Sequence, residues 1–255
     1  MSTYRTEAVV LRSRKYMEAD SLLTLLTQKR GKIGAVAKGV RKPNSRLRGG
    51  VQVFSHNDML LHKGKNLDIV TQSQCLEAFM PLQEDMKAMA AACYWSELLD
   101  SLVPEGEIDP ELFKLALAGY HLLCLSAAEQ VIRGLEAKLL SLLGYRPFLD
   151  KCVFCGGILP EYAPIWFSTR LGGVLCNACG QTKGVPNRYN FSHEVLNAWQ
   201  QMLKMDLSKL GRLKITPQGQ KILEQVMDNF LFVQLDYPLK SKPILKVMLQ
   251  ADKKQ

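Results

Sequence analysis

Four cysteines carry the plainest chemistry in this chain. Cys152 and Cys155 form one Cys-x2-Cys pair, Cys176 and Cys179 form another, and twenty residues separate the pairs. Two thiolates three residues apart chelate one ion through a tight turn, and the doubled spacing is that of a four-thiolate zinc ribbon. Gly156, Gly157 and Gly180, just after the pairs, suit such turns. A redox Cys-x2-Cys would stand between a strand and a helix of a βαβ unit and would not come in duplicate. Zinc held by four sulfurs has no open position for water or substrate. The pattern therefore predicts one structural Zn2+ per chain and no metal-assisted step.

Charge is the second chemical feature. From Ser21 to Asn57 there is no acidic residue, yet Lys29, Arg30, Lys32, Lys38, Arg41, Lys42, Arg46 and Arg48 fall in that stretch. Cations this dense repel one another unless a polyanion neutralises them. Gly39, Pro43, Asn44, Ser45, Gly49 and Gly50 predict a flexible loop. Lys32, Lys38, Arg41, Lys42, Arg46 and Arg48 are the candidate contacts to a nucleic-acid backbone, with a merely solvated loop as the plain alternative. Aromatics able to stack on bases are few here: Tyr4, Tyr16 and Phe54. That scarcity predicts phosphate-led binding with little sequence preference.

Catalytic patterns are missing. The sequence has no P-loop, no Gly-x-Ser-x-Gly and no His-Glu-x2-His. The histidines lie apart from one another, and His121 stands in an apolar stretch that predicts a core residue. No carboxylate cluster offers a nuclease its Mg2+. The chain is expected not to be an enzyme.

These residues belong to a chain of 255 residues with a net charge of +9. The charge is uneven. Residues 1–80 hold 14 Lys/Arg against 6 Asp/Glu, residues 81–150 hold 5 against 11, and residues 151–255 hold 14 against 7. Two basic ends around an acidic middle suggest separate surfaces for a polyanion and for something else. The remaining cysteines, Cys75, Cys93 and Cys124, lie among apolar residues and read as small buried hydrophobes in a reducing compartment. The first residues lack an apolar signal core, and no run reaches the ~18 apolar residues of a membrane span. A cytoplasmic protein without a membrane partner is expected.

The elements that must position this chemistry change character near residue 80. Before it, Thr6–Arg12, Ser21–Thr27, a third run from Gly31, Val51–Leu61 and Leu67–Ser73 read as strands. Five short strands in this length predict a closed barrel of the OB type, with an SH3-like barrel as the competitor. After it the period becomes helical. Helices are expected over 82–102, from Asp109-Pro110 to about 126, over 128–143 with Gly144 as C-terminal cap, from Ser192 to about 205, from Thr216-Pro217 onward, and over SKPILKVMLQ. The fold class is thus α+β. Residues 1–80 would be a DNA-binding barrel, and 81–255 a helical domain with the ribbon inserted at 150–182.

Three stretches resemble a known family, the bacterial DNA repair proteins called RecO. They are YRTEAVVLRSRKYMEADSLLTLLTQKRGKIGAVAKGVRKPNSRLRGGVQVF, LEAKLLSLLGYRPFLDKCVFCG and FLFVQLDYPLKSKPIL. They run in the family's order over nearly the whole chain. Some members lack the cysteines, and this chain keeps all four. The resemblance implies a recombination mediator of the RecF pathway that binds single- and double-stranded DNA and anneals complementary strands. With RecR it would help load RecA onto strands coated by the single-strand-binding protein SSB. The family's cellular setting would be the cytoplasm, at the nucleoid. SSB ends in an acidic tail with an apolar last residue, which needs an apolar pocket beside a cation. The helix carrying Arg133, Leu135, Lys138 and Leu139 is the candidate for that pocket, with a plain core face as the alternative. Two other classes stay open on the residues alone: a zinc-stabilised RNA-binding or ribosome-associated factor, and a protein adaptor.

Overall fold

The structure is a computed structural model and describes residues 2–251. The expected α+β class holds. By contact, the described residues divide into two units. One runs up to Ala127 and includes the residues from Leu239 onward, and the other is Ala128–Pro238. The change of period near residue 80 marks where strands give way to helices. Contact groups the first helices and the last one with the strands.

The first unit is built on five strands, β1 (Thr3–Tyr16), β2 (Asp20–Thr27), β3 (Gly31–Ala37), β4 (His56–His62) and β5 (Asp68–Glu77). They close into a barrel in the order β1-β2-β3-β5-β4, with β4 returning antiparallel to β1. All pairings are antiparallel except β3 with β5, where Ala35 and Val36 meet Asp68 and Ile69 in parallel. Alternate residues fill the interior, among them Ala8, Val10, Leu23, Leu25, Met59 and Leu61. The alternation is cleanest in β4, where every second residue is buried. β1 is longer than its run of apolar residues because a bulge at Leu11 lets it continue past the barrel wall. Gly31 opens β3 at φ +64, and a side chain there would overlap the carbonyl of Glu107.

Helices α1 (Pro81–Glu84), α2 (Met86–Leu102), α3 (Pro110–Leu125) and the late α8 (Lys242–Ala251) complete this unit. The single helix expected from residue 82 is two. Asp85 leaves helical geometry, and its carboxylate caps α2 by accepting from the Ala88 N–H at 2.6 Å. Asp109 caps α3 in the same way, with Pro110 at the first position. Between α2 and α3 the Trp95 indole donates to the Ala116 carbonyl at 3.1 Å, and Gly119 leaves the room that ring needs.

The second unit holds α4 (Glu129–Leu142), β6 (Ile165–Ser168), β7 (Gly173–Leu175), α5 (Asn177–Gln181), β8 (Arg188–Phe191), α6 (His193–Lys204) and α7 (Pro217–Leu235). The three strands form a small sheet in the order β7-β6-β8. Its core is aromatic. Phe167 stacks on Trp199 at 5.1 Å between centroids and meets Phe230 edge-on at 5.8 Å. No helix among the described residues is long and apolar enough to cross a membrane.

Candidate metal centre and nucleic-acid interface

The four cysteines converge. Their sulfurs lie within 4.8 Å of one another, and the Cys155 and Cys176 sulfurs are 3.9 Å apart. A tetrahedral ion at the usual ~2.3 Å from each sulfur would set them about 3.8 Å apart, so the donor set fits a metal and is compatible with zinc. Local backbone explains the convergence. The Cys152 N–H donates to the Gly157 carbonyl and the Gly156 N–H to the Cys152 carbonyl, both at 2.9 Å, with Gly156 at φ +73. That closes the first turn around Cys152 and Cys155. Cys176 is the residue before α5, and Cys179 follows one turn later. Gly180 lies flat on the Trp166 ring, where any Cβ would overlap it. Cys152 and Cys179 are buried with Leu175 and Val185 in a small apolar cluster of their own.

The sulfurs differ in charge preference. Burial pushes the Cys152 thiol up, but the N–H groups of Cys155, Cys176 and Phe154 favour its thiolate, and the balance brings it down to about 6. Burial pushes Cys179 up, and the neighbouring sulfurs push it further. Four thiolates this close repel, and a divalent cation is what removes the repulsion.

The basic segment between β3 and β4 is anchored along its length, which corrects the expected flexible loop. Val40, Leu47 and Val51 pack on the barrel core. The chain between them is a series of turns, with Lys42 N–H bonded to Gly39, Ser45 N–H to Lys42 and Gly50 N–H to Leu47, each at 3.1 Å. The Asp20 carboxylate accepts from the Gly39 N–H at 2.7 Å, and the Ser73 hydroxyl donates to the Gly50 carbonyl at 2.6 Å. Glycine and proline gave the turns. The apolar residues between them hold the turns down.

On this frame Lys38, Arg41, Lys42, Arg46 and Arg48 are exposed. Arg41 and Arg48 line a polar cavity of about 390 Å³ with Ser13, Ser21 and Gln52. Lys32 is different and is withdrawn from the candidate contacts. It is 8% exposed, and its ammonium donates to the main-chain carbonyl of Asp100 and lies 3.8 Å from the Asp100 carboxylate. Asp100 is in the last turn of α2, where carbonyls lack helical partners and a cation is favoured. Burial lowers the Lys32 pKa, with Asp100 and Glu105 opposing that shift.

The stacking candidates thin out further. Phe54 is buried against Tyr120, at 5.9 Å between centroids. Tyr4 donates its hydroxyl to Asp68 and lies under the Arg30 guanidinium, 4.9 Å from ring centre to carbon. Tyr16 stays half-buried. The sequence reading missed Arg14 and Lys15. Both are exposed on β1, and Lys15 pairs with Ser21 of the cavity wall. Their signal is two adjacent cations near the strand end, outside the acid-free stretch from Ser21 to Asn57.

The pocket expected on α4 is absent as drawn. Leu135 and Leu139 are buried core, and Lys138 donates to the Leu203 carbonyl at 2.8 Å. Arg133 is 4% exposed and binds the Glu136 carboxylate at 2.8 and 2.9 Å and Asp228 at 2.9 Å. A face already filled by α6 and the segment at Leu210 cannot also receive a peptide. Two smaller expectations also change. Cys75 and Cys93 are exposed, and His121 is exposed beside Glu77 at 3.3 Å. Beside Cys93 and His121 the buried Ala92, Tyr94 and Tyr120 occupy the other helix face, whereas Cys75 lies where Leu76 is exposed as well.

A five-stranded barrel with a pinned cationic flank, joined in sequence to a helical unit bearing a four-sulfur cluster, defines a class of barrel protein with an appended cysteine ribbon. Comparison with known proteins makes this specific. Residues 1–79 match the family described as Recombination protein O N terminal, and residues 83–243 match Recombination protein O C terminal. The chain is 35% identical to the DNA repair protein RecO of Desulforamulus reducens, covering 94% of this chain and 93% of that one. It is 37% identical to the RecO of Pelotomaculum thermopropionicum, over 98% and 96%. With the RecO of Desulfitobacterium hafniense (strain DCB-2) it shares 41%, over 94% and 88%. The chain belongs to the RecO family of DNA repair proteins.

Proposed function

We propose that the chain is a non-catalytic recombination mediator of DNA repair, acting in the cytoplasm at the nucleoid. It binds single- and double-stranded DNA, anneals complementary strands and, with RecR, assists the loading of RecA onto strands coated by SSB. The barrel over residues 1–80 is the DNA-binding domain. Lys38, Arg41, Lys42, Arg46 and Arg48 are its phosphate contacts, with Arg14 and Lys15 beside them. One Zn2+ per chain, held by Cys152, Cys155, Cys176 and Cys179, ties the ribbon together and takes no part in a reaction. The acidic tail of SSB remains a partner, and its pocket lies off the buried face of α4.

The observation that carries this is the arrangement of exposed cations on pinned turns around a polar cavity. Two strands repel through their phosphates. A surface that neutralises phosphate on both lowers the cost of bringing them together, and it displaces condensed counterions as it does so. Because the turns are held, less side-chain and loop entropy is lost on contact than a free loop would lose. The test is annealing of complementary oligonucleotides coated with SSB. Addition of the protein should speed annealing severalfold, without nucleotide and without cleavage of either strand. Annealing no faster than with SSB alone would contradict the proposal.

A further inference from the structure

A strap, residues 144–149, follows α4. Gly144 turns at φ +85, and the Tyr145 N–H bonds back to the Leu140 carbonyl at 2.7 Å. Three residues on, the Phe148 N–H donates to Gly172 at 2.8 Å, and the Phe148 carbonyl accepts from Val174 at 3.0 Å. The Gln200 side-chain amide donates to the Leu149 carbonyl at 2.9 Å, and Pro147 and Leu149 are buried. The backbone is therefore fixed at both ends. Its rings are not covered: Tyr145 is 42% exposed and Phe148 39%. Gly173 brings the first cysteine turn alongside the strap. A Cβ there would lie 3.0 Å from the Cβ atoms of both Phe148 and Val153, so these two side chains flank the same glycine. The next residue, Phe154 at the tip of the first cysteine turn, is 59% exposed.

Three exposed cations lie in or beside this strap, with Asp150 the one acid among residues 144–154. Arg146, Lys151 and Arg170 are all exposed and make no ion pair among the described residues. Arg170 lies in the turn between β6 and β7, two residues before the Gly172 carbonyl that holds Phe148. Rigid aromatic rings with guanidinium and ammonium groups around them suit a ligand that is planar and anionic together. An unstacked nucleotide strand is such a ligand, since every base offers a π face and every linkage a charge.

We infer that Tyr145, Phe148 and Phe154, with Arg146, Lys151 and Arg170, form a second contact for single-stranded nucleic acid, one that grips bases by stacking. It rests on the nucleic-acid reading above and adds to it a site of different chemistry. The cationic flank of the barrel holds phosphates and leaves bases free. The strap holds bases.

The experiment compares a thirty-residue oligo-dT with an abasic oligomer of equal length and charge, each labelled and titrated by fluorescence anisotropy. Phe148→Ala with Tyr145→Ala should weaken oligo-dT binding about tenfold or more and leave abasic binding unchanged. Phe148→Trp, which keeps a stacking ring, should bind oligo-dT at least as well as the wild type. Thermal unfolding and metal content, followed in each variant, show that the ribbon is intact. Equal loss on both ligands, or no loss on either, would overturn the stacking contact while leaving the phosphate surface standing. A wild-type chain that binds neither ligand would overturn both.

Discussion

Two segments of this chain that carry candidate contact cations, one in each unit, have opposite fates. Between β3 and β4, Lys38, Arg41, Lys42, Arg46 and Arg48 stand exposed. On α4, Arg133 is buried between Glu136 and Asp228, and Lys138 is tied to a main-chain carbonyl. The difference lies in the carboxylates. The first segment has none from Ser21 to Asn57, so these five cations find no carboxylate within it and stay exposed, Arg41 donating to the main-chain carbonyl of Glu18 at 3.0 Å. The second has Glu136 three residues after Arg133, on the same face of the helix. A buried charge persists only when paired, so a cation with an acid at helical spacing on an apolar face belongs to the core. Lys32 follows that rule from inside the basic segment, since it alone of the six reaches a helix end and a carboxylate.

The contrast breaks most sharply at Arg133. Arg133→Ala leaves two carboxylates without their main cation and should destabilise the chain by about 3–5 kcal/mol in chemical denaturation. Arg41→Glu with Lys42→Glu should shift stability by no more than about 1 kcal/mol, since both are exposed. Comparable losses in the two variants would mean that the segments are not different in kind.

Cys176→Ser tests the ribbon against the barrel. Metal content should fall from about one ion per chain to a small fraction, and amide exchange should quicken over residues 150–182. Exchange in β1 to β5 should stay as in the wild type, because those strands have a core of their own. Undiminished metal content, or fewer than four sulfurs around the ion in X-ray absorption of the wild type, would contradict the four-thiolate site.

Lys32 gives a smaller effect with a definite sign. Its pKa is lowered on folding from the usual 10.5, chiefly by burial, so the unfolded chain binds the proton more tightly. Its contribution is therefore unfavourable at neutral pH, and stability should rise as pH climbs through its folded pKa toward 10.5. Lys32→Met should remove that alkaline rise and leave DNA affinity nearly unchanged. Loss of DNA binding in this variant without loss of folding would return Lys32 to the contact surface.

Much of this was legible in the sequence. The paired cysteines gave the four-sulfur cluster because four side chains at fixed spacing need only local turns to meet. Pro110, Pro217 and Ser192 marked helix starts through local capping. What was hidden depended on distant partners. Lys32 meets Asp100 across 68 residues, and no local pattern announces that pairing. The basic segment looked mobile because glycine and proline are read locally, whereas Val40, Leu47 and Val51 find their hold on the far side of the barrel wall. On α4 the acid was in plain view at Glu136, and weighing it would have placed Arg133 correctly.

The most direct test of the central claim is the salt dependence of single-strand binding. The five exposed cations of the barrel flank should contribute about −3.5 to the slope of log K against log salt, from roughly −0.7 per phosphate. Arg41→Glu with Lys42→Glu should flatten it by about 1.4 while the protein stays folded. A double variant with the wild-type slope and wild-type affinity would show that this flank is only a solvated surface.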